Sequence, residues 1–346
     1  MKKILLALTV LLLMVSGCAK TQRTLKIFNW GAYIDESVIA DFEQKYDVKV
    51  VYDNYDSNES MYTKIQSGET YDILVPSDHM VERLISEGKL QKLDKSKITV
   101  LNTIEPSLLN RPFDVGNAYS VPYFWGSVGI VYNNEKVSLS DLETEGWKIL
   151  DNPKYKGCIF IYDSVRDVFM IAYKALGYSA NSNKQEEIDA AFKLLQEINA
   201  TTQPVYVSED GIDNMVSSQK DIAVMFSGDA AYIKTQNPKM DFFAPAEGTN
   251  IWIDSMVIPT ESKNADLAYD WINYMLDPEV AMKNTLFVGY TSPVISVFDA
   301  VTAKGGAYYG IAAYTPRLDN PLDEVYRYDE QLKIQLSELW TKVKAQ

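Results

Sequence analysis

Runs that read as strands alternate along this chain with stretches of helical periodicity, and this alternation limits the possible folds more than any other feature. Leu25-Lys26-Ile27-Phe28-Asn29-Trp30 alternates apolar and polar residues as a first strand does. Ile34, Val38 and Phe42 recur every four residues, which puts them on one helical face, and Asp35 is placed to cap that helix. The β-branched run 48–52 reads as a second strand. Ser57 opens a helix carrying Met61 and Ile65, and Gly68 closes it. Tyr71-Asp72-Ile73-Leu74-Val75-Pro76 is a third strand, followed by a helix through Leu84 that ends near Gly88. Strands and helices in turn indicate a parallel α/β sheet. After a break rich in Pro, Asn and Gly over 106–122, the pattern resumes. Strands are expected at 127–132, 157–162, 222–226 and 251–259, and helices at 168–176, 188–198 and 267–275. The 346 residues suggest two domains at roughly 150 residues each. No single linker divides them, so the chain is expected to cross between domains more than once, near 126–129 and 251–255.

The first 17 residues stand apart from this pattern. Lys2 and Lys3 precede an apolar run at 4–15, which has the length of a secretory signal and is too short to span a bilayer comfortably. Val15-Ser16-Gly17-Cys18 then resembles a bacterial lipobox, in which the peptide is cut before the Cys and that Cys is lipidated. The expected mature chain begins at Cys18, with 18–24 as a tether, and lies outside the cytoplasmic membrane. Its anchor would hold more than one acyl chain, as stable retention requires. Losing Lys2 and Lys3 leaves 31 basic against 47 acidic side chains, a net of −16.

This acidic balance argues against nucleic acid as a partner and suits a cationic ligand. Two Cys and one His are too few for a zinc centre or a disulfide framework, so no metal and no cofactor are expected. Any imidazole chemistry would have to use His79. The chain has no phosphate-cradling Gly-rich loop, no dinucleotide fingerprint and no Gly-x-Ser-x-Gly elbow, which weakens an enzyme reading.

Ligands of open parallel sheets sit beyond the carboxyl ends of the strands. Those ends carry Trp30 and Tyr33, then Ser77-Asp78-His79, Asp163-Ser164-Val165-Arg166-Asp167, Phe226-Ser227-Gly228-Asp229 and Trp252-Ile253-Asp254. Tyr290 lies in Gly289-Tyr290-Thr291-Ser292-Pro293, past a helix end. Rings attract a protonated amine and flank its methylenes, while carboxylates accept its hydrogen bonds with charge assistance. The set suits a linear polyamine, and it also suits a sugar stacked on rings with its hydroxyls held by acids. Plainer readings exist. Trp30 and Trp252 suit core packing, Asp167 suits a pair with Arg166 or a helix cap, His79 suits a solvated or ring-packing role, and Cys158 suits a small buried apolar position. Asp254 resists such a reading, because a carboxylate in an apolar strand needs a partner.

At these residues the chain resembles the substrate-binding proteins of spermidine/putrescine ABC transporters, over about 25–344. The resemblance rests on Asn29-Trp30 with Tyr33, Ser57-Asn58-Glu59-Ser60-Met61-Tyr62, Asp72-Ile73-Leu74-Val75-Pro76-Ser77, Val121-Pro122-Tyr123-Phe124-Trp125-Gly126, Trp252-Ile253-Asp254-Ser255 and Gly289-Tyr290-Thr291-Ser292-Pro293. Asp94-Lys95-Ser96-Lys97 and Leu176-Gly177-Tyr178 add to it. It implies a two-lobed, type II periplasmic-binding-protein fold that closes on its ligand. Lobe 1 would comprise 25–125 plus 254–297, and lobe 2 126–253 plus 298–346. It also implies that Trp30, Tyr33 and Tyr290 line the cleft, Ser77 makes a polar contact, Asp167 holds an amine, and Trp252 and Asp254 grip the ligand's middle. Four positions depart from or vary within the pattern. Phe226 stands where a Trp is common, His79 where an aromatic is common, Ser164 where some relatives have Asp, and Asp229 where some putrescine-type members have an acid. The family's C-terminal amide contact is not placed near Tyr326, and the choice between putrescine and spermidine stays open. The expectation is a monomeric, non-catalytic lipoprotein that captures a polyamine and delivers it to ABC permease subunits. The alternatives are the same fold on another solute, such as an oligosaccharide, a surface glycosidase with two carboxylates, and an adhesin.

Overall fold

A computed structural model describes residues 22–208 and 210–346. The leader, Cys18 and most of the tether lie outside the described residues. The chain opens as β1 (Arg23–Trp30), α1 (Glu36–Tyr46), β2 (Val48–Tyr55), α2 (Asn58–Gln66), β3 (Ile73–Leu74) and α3 (Asp78–Ser86). Asp35 accepts from the Ser37 amide at the start of α1, and Ser57 and Ser60 form a reciprocal capping box on α2. Gly68 takes φ 99° just past α2, a conformation that costs glycine little. The third strand is shorter than its sequence suggests, only two residues.

Three one-turn 3₁₀ helices, at 95–97, 101–103 and 106–108, lead into the Pro-rich break, which is tied together by Asp114. That buried carboxylate accepts from the amides of Ala118, Tyr119 and Ser120 and from the Ser120 hydroxyl, at 2.7–3.0 Å. From there runs β4 (Ser120–Asn133), a 14-residue strand buried along its whole length. The remaining order is α4 (Leu139–Glu145), β5 (Ile159–Tyr162), α5 (Val165–Ala175), α6 (Gln185–Thr202), β6 (Val205–Val207), α7 (Asp210–Val216), β7 (Ile222–Phe226), α8 (Ser227–Gln236), β8 (Met240–Phe243), β9 (Ile251–Val257), α9 (Ala265–Met275), α10 (Pro278–Val288), α11 (Ile295–Thr302) and α12 (Glu330–Lys344).

The sheet is mixed, which corrects the expectation of a parallel one. Its strands run β2-β1-β3-β9-β4-β7-β5-β6, with β8 beside β4. β1, β2 and β3 are parallel, as are β5, β6 and β7. β9 inserts antiparallel between β3 and β4. The first half of β4 pairs with β9 and the second half with β7 and β8, all antiparallel. Two parallel units are thus joined through one long antiparallel pair. Pro122 cannot donate to the ladder and sits where the β4–β9 register shifts, as Pro in a strand must.

Apolar burial follows this division. One cluster gathers β1–β3, the start of β4, β9, α9 and residues such as Met61, Leu84 and Val280. It also takes in Trp252, Ile253 and Val325. A second cluster gathers the end of β4, β5, α5, α6 and the Leu332, Leu336, Trp340 and Val343 face of α12. A third lies under α8 around Met215, Met225 and Tyr314. Cys158 is half-buried at the edge of the second cluster, more open than the small core position expected of it. No helix among the described residues is long and apolar enough to cross a membrane.

Candidate functional site

Asp254 lies in the middle of β9, buried, with hydroxyls on both oxygens. Tyr33 donates to Oδ2 and Ser77 donates to Oδ1, each at 2.7 Å. Ser77 follows β3 and is itself held by Asn58, which accepts from the Ser77 amide at 3.1 Å and donates to its Oγ at 3.2 Å. Tyr33 comes from the turn after β1, where Ala32 takes a left-handed φ of 52°. Burial pushes the Asp254 carboxyl up to about 7. The two hydroxyls pull it back down, and the nearby charge of Asp78 adds to the rise. Trp30 borders this group: its Nε1 donates to the Val75 carbonyl at 2.9 Å and its ring lies 4.8 Å from Tyr55.

Rings continue the wall. Tyr290 lies 5.6 Å from Tyr33, Trp252 lies 5.2 Å from Tyr290, and Phe226 lies 6.2 Å from Trp252. Two glycines make room for them. A Cβ at Gly126 would come 2.4 Å from the Trp252 indole, and one at Gly228 would come 1.4 Å from the Tyr290 ring. Asp229, in the first turn of α8, accepts from Tyr290 at 3.0 Å and from Tyr162 at 2.7 Å.

A second acidic group centres on Asp167 in the first turn of α5. It is buried and accepts from Tyr326 at 2.7 Å. Burial raises its pKa, against hydrogen bonds from Ser164 and Tyr326. Arg166 does not pair with it. That guanidinium bonds the Arg327 carbonyl and Asn181 and lies 4.3 Å from the Tyr326 ring. Asp78 is buried at the start of α3. Its Oδ1 accepts from the His79 amide at 2.6 Å and lies 3.4 Å from His79 Nδ1, while its Oδ2 has no protein partner. His79 is half-buried, and its imidazole, when protonated, favours the charged forms of both Asp254 and Asp167.

Tyr33, Ser77, Asp254, Tyr290, Trp252, Phe226 and Asp229 are therefore linked by direct contacts, with Trp30 alongside. Ser164 and Asp167 form the second group, and Asp78 and His79 lie near both. Tyr326, Tyr162 and Asn58 support the site and were not singled out from sequence. Among 23 tyrosines no spacing marks Tyr162 and Tyr326 as the ones that reach Asp229 and Asp167. An O–H donor satisfies a buried carboxylate without adding charge, so the site keeps its negative field beside flat rings. No group of three or more potential metal ligands occurs among the described residues.

Residues 37–307 match the family model for bacterial extracellular solute-binding proteins. The chain belongs to that family. This solute-binding protein is 33% identical over 282 residues to the spermidine/putrescine-binding periplasmic protein of Escherichia coli (strain K12), covering 81% of this chain and 80% of that one. It is 30% identical over 350 residues to the putrescine-binding periplasmic protein PotF of the same organism, covering 96% and 94%. Its fold superposes with a TM-score of 0.83 on PotD, the substrate-binding protein of a spermidine/putrescine ABC transporter from Streptococcus pneumoniae, at 35% identity and covering 94% and 99% of the two chains. The two-lobed α/β fold expected from sequence is the fold these relatives share.

Proposed function

We propose that this protein is an extracytoplasmic receptor that captures a linear polyamine, putrescine or spermidine, between two lobes and hands it to an ABC permease. Asp254 carries the reading. It is a buried carboxylate that takes its hydrogen bonds from hydroxyls, beside a continuous wall of rings. Ammonium groups neutralise the acids, and the rings flank the methylenes. Trp30, Tyr33, Ser77, Asp78, His79, Ser164, Asp167, Phe226, Asp229, Trp252, Asp254 and Tyr290 are the proposed contacts. Nothing in this arrangement calls for catalysis. The separate apolar clusters support 25–125 plus 254–297 as one lobe and 126–253 plus 298–346 as the other, although Ile251, Trp252, Ile253 and Val325 pack with the first. Attachment of the chain to the membrane through lipid on Cys18, and its action as a monomer, complete the proposal. One observation favours a hydroxylated solute as second reading: the buried Trp252 Nε1 has no protein acceptor, and an ammonium cannot supply one. A thermal-shift panel separates the two. A ligand selective for the folded state raises apparent stability by mass action. Putrescine or spermidine should raise the midpoint at micromolar concentration and sugars should not. A shift with sugars alone would overturn the polyamine reading.

A further inference from the structure

The segment 324–329, just before α12, reaches from one apolar cluster to the other. Glu324 and Tyr326 anchor it on the second cluster, while Val325 between them packs with the first: the Glu324 amide bonds the Thr249 carbonyl, Glu324 pairs with the buried Lys174, and Tyr326 bonds Asp167. The next residue crosses over. Arg327 grips Glu82 of α3 through Nε, at 2.9 and 3.0 Å to the two oxygens, and through Nη2 as well. The Tyr328 amide donates to the same carboxylate at 2.7 Å. Two further pairs follow, Arg83 with Glu330 at 3.4 Å and Lys333 with Glu59 at 2.8 Å. The Arg83 guanidinium is sandwiched between Tyr62 and Tyr328, 3.8 and 5.2 Å from their ring centres.

α2 and α3 pack in the first cluster through Met61, Met80 and Leu84, and α12 packs in the second through Leu332 and Leu336. Each of these pairs therefore exists only while the two halves are together. Single exposed ion pairs contribute little, but a bidentate Arg backed by neighbouring pairs is the arrangement that does contribute. The covalent neighbour of Arg327 is Tyr326, which caps a proposed ligand acid. We propose that residues 326–333 form an ionic clasp on α2 and α3 that sets how long the closed cleft retains its ligand, with Arg327 as a positioning residue acting through Tyr326 on Asp167. The clasp rests on the polyamine reading for its role in retention, while its contacts can be tested without ligand.

Two measurements on the full mature chain test it. Stopped-flow tryptophan fluorescence gives the dissociation rate of spermidine from wild type, Arg327→Ala and Arg327→Lys at 20 and 300 mM salt. The clasp predicts at least threefold faster release from Arg327→Ala at low salt. It also predicts a weaker salt dependence in that variant, because exposed pairs are screened over about 10 Å at 0.1 M, and partial rescue by Lys. Equal rates and equal salt dependence would overturn it. Hydrogen exchange of the Tyr328 amide, in the ligand-free protein and at saturating spermidine, is the second measurement. Glu82→Ala should speed that exchange at least tenfold, whereas the amides of α12 beyond Leu336 should keep their protection. Unchanged Tyr328 exchange would overturn the clasp. If wild type binds no polyamine, the functional reading fails, and the exchange result still decides whether the clasp exists.

Discussion

Asp254 shows how a single side chain can report on what the cleft holds. Its carboxyl titrates near 7 because burial removes water from the charged form. A folded-state pKa above the unfolded value of about 3.9 means that the native state binds the extra proton between those limits. The ligand-free protein should accordingly lose stability through this group as pH rises from about 4 to about 7, then level off. Burial raises Asp167 in the same direction. A cation favours the ionised carboxylate, and aliphatic amines stay protonated throughout this range. Polyamine affinity should therefore rise with pH up to about 7 and then flatten, by up to about tenfold per pH unit for one coupled proton. Calorimetry in buffers of differing ionisation enthalpy between pH 5.5 and 8 reads both the affinity and the released proton. An affinity flat across that range with no proton release would remove Asp254 from contact with the cation.

Asp114 has an equally large influence on its element, although it lies away from the proposed ligand contacts. It gathers four donors at the point where the irregular 106–119 segment becomes β4. Losing a buried, charged acceptor leaves several donors unsatisfied, at about 1–3 kcal/mol each before relaxation. Asp114→Ala should cost about 2–4 kcal/mol in urea unfolding, and a change below about 0.5 kcal/mol would show that the turn holds by other means. Much at this scale was legible in sequence. The capped starts of α1 and α2, the amphipathic face of α9 and the apolar strand β7 are local patterns that local reading recovers. Trp30, Ser77, Asp167, Phe226 and Asp229 of the candidate site were legible for a related reason, because strand ends expose side chains beyond the sheet, whereas Trp252 and Asp254 lie inside β9 and not at the end where the sequence suggested them. The antiparallel insertion of β9 was not legible, since strand direction depends on partners far away in the chain. The start of β4 was missed because Pro122 looks like the end of a loop, and only the register shift opposite β9 lets it lie in a strand. α12 carried a readable spacing at Leu332, Leu336 and Trp340, but no strand precedes it to complete an alternation.

At the scale of the whole molecule, the fold explains why the proposed contacts come from both halves of the chain. The antiparallel pair of β4 and β9 joins two parallel units, and Trp252 and Asp254 lie on that pair. Closing around a ligand then needs contacts made only in the closed state, and a ligand can shift that equilibrium only by its preference for it. In the proposed reading, contacts from Asp254 and Trp30 together with Asp167 and Phe226 would provide that preference. Tyr326 remained unassigned in sequence, yet it caps Asp167 and adjoins the residue that reaches across to α3. The most direct test is isothermal titration of putrescine and spermidine into wild type, Asp254→Asn and Trp30→Ala at pH 7.5. The account predicts saturable one-to-one binding to wild type and at least tenfold weaker binding, about 1.4 kcal/mol, in each variant. Undiminished affinity in both variants would contradict it.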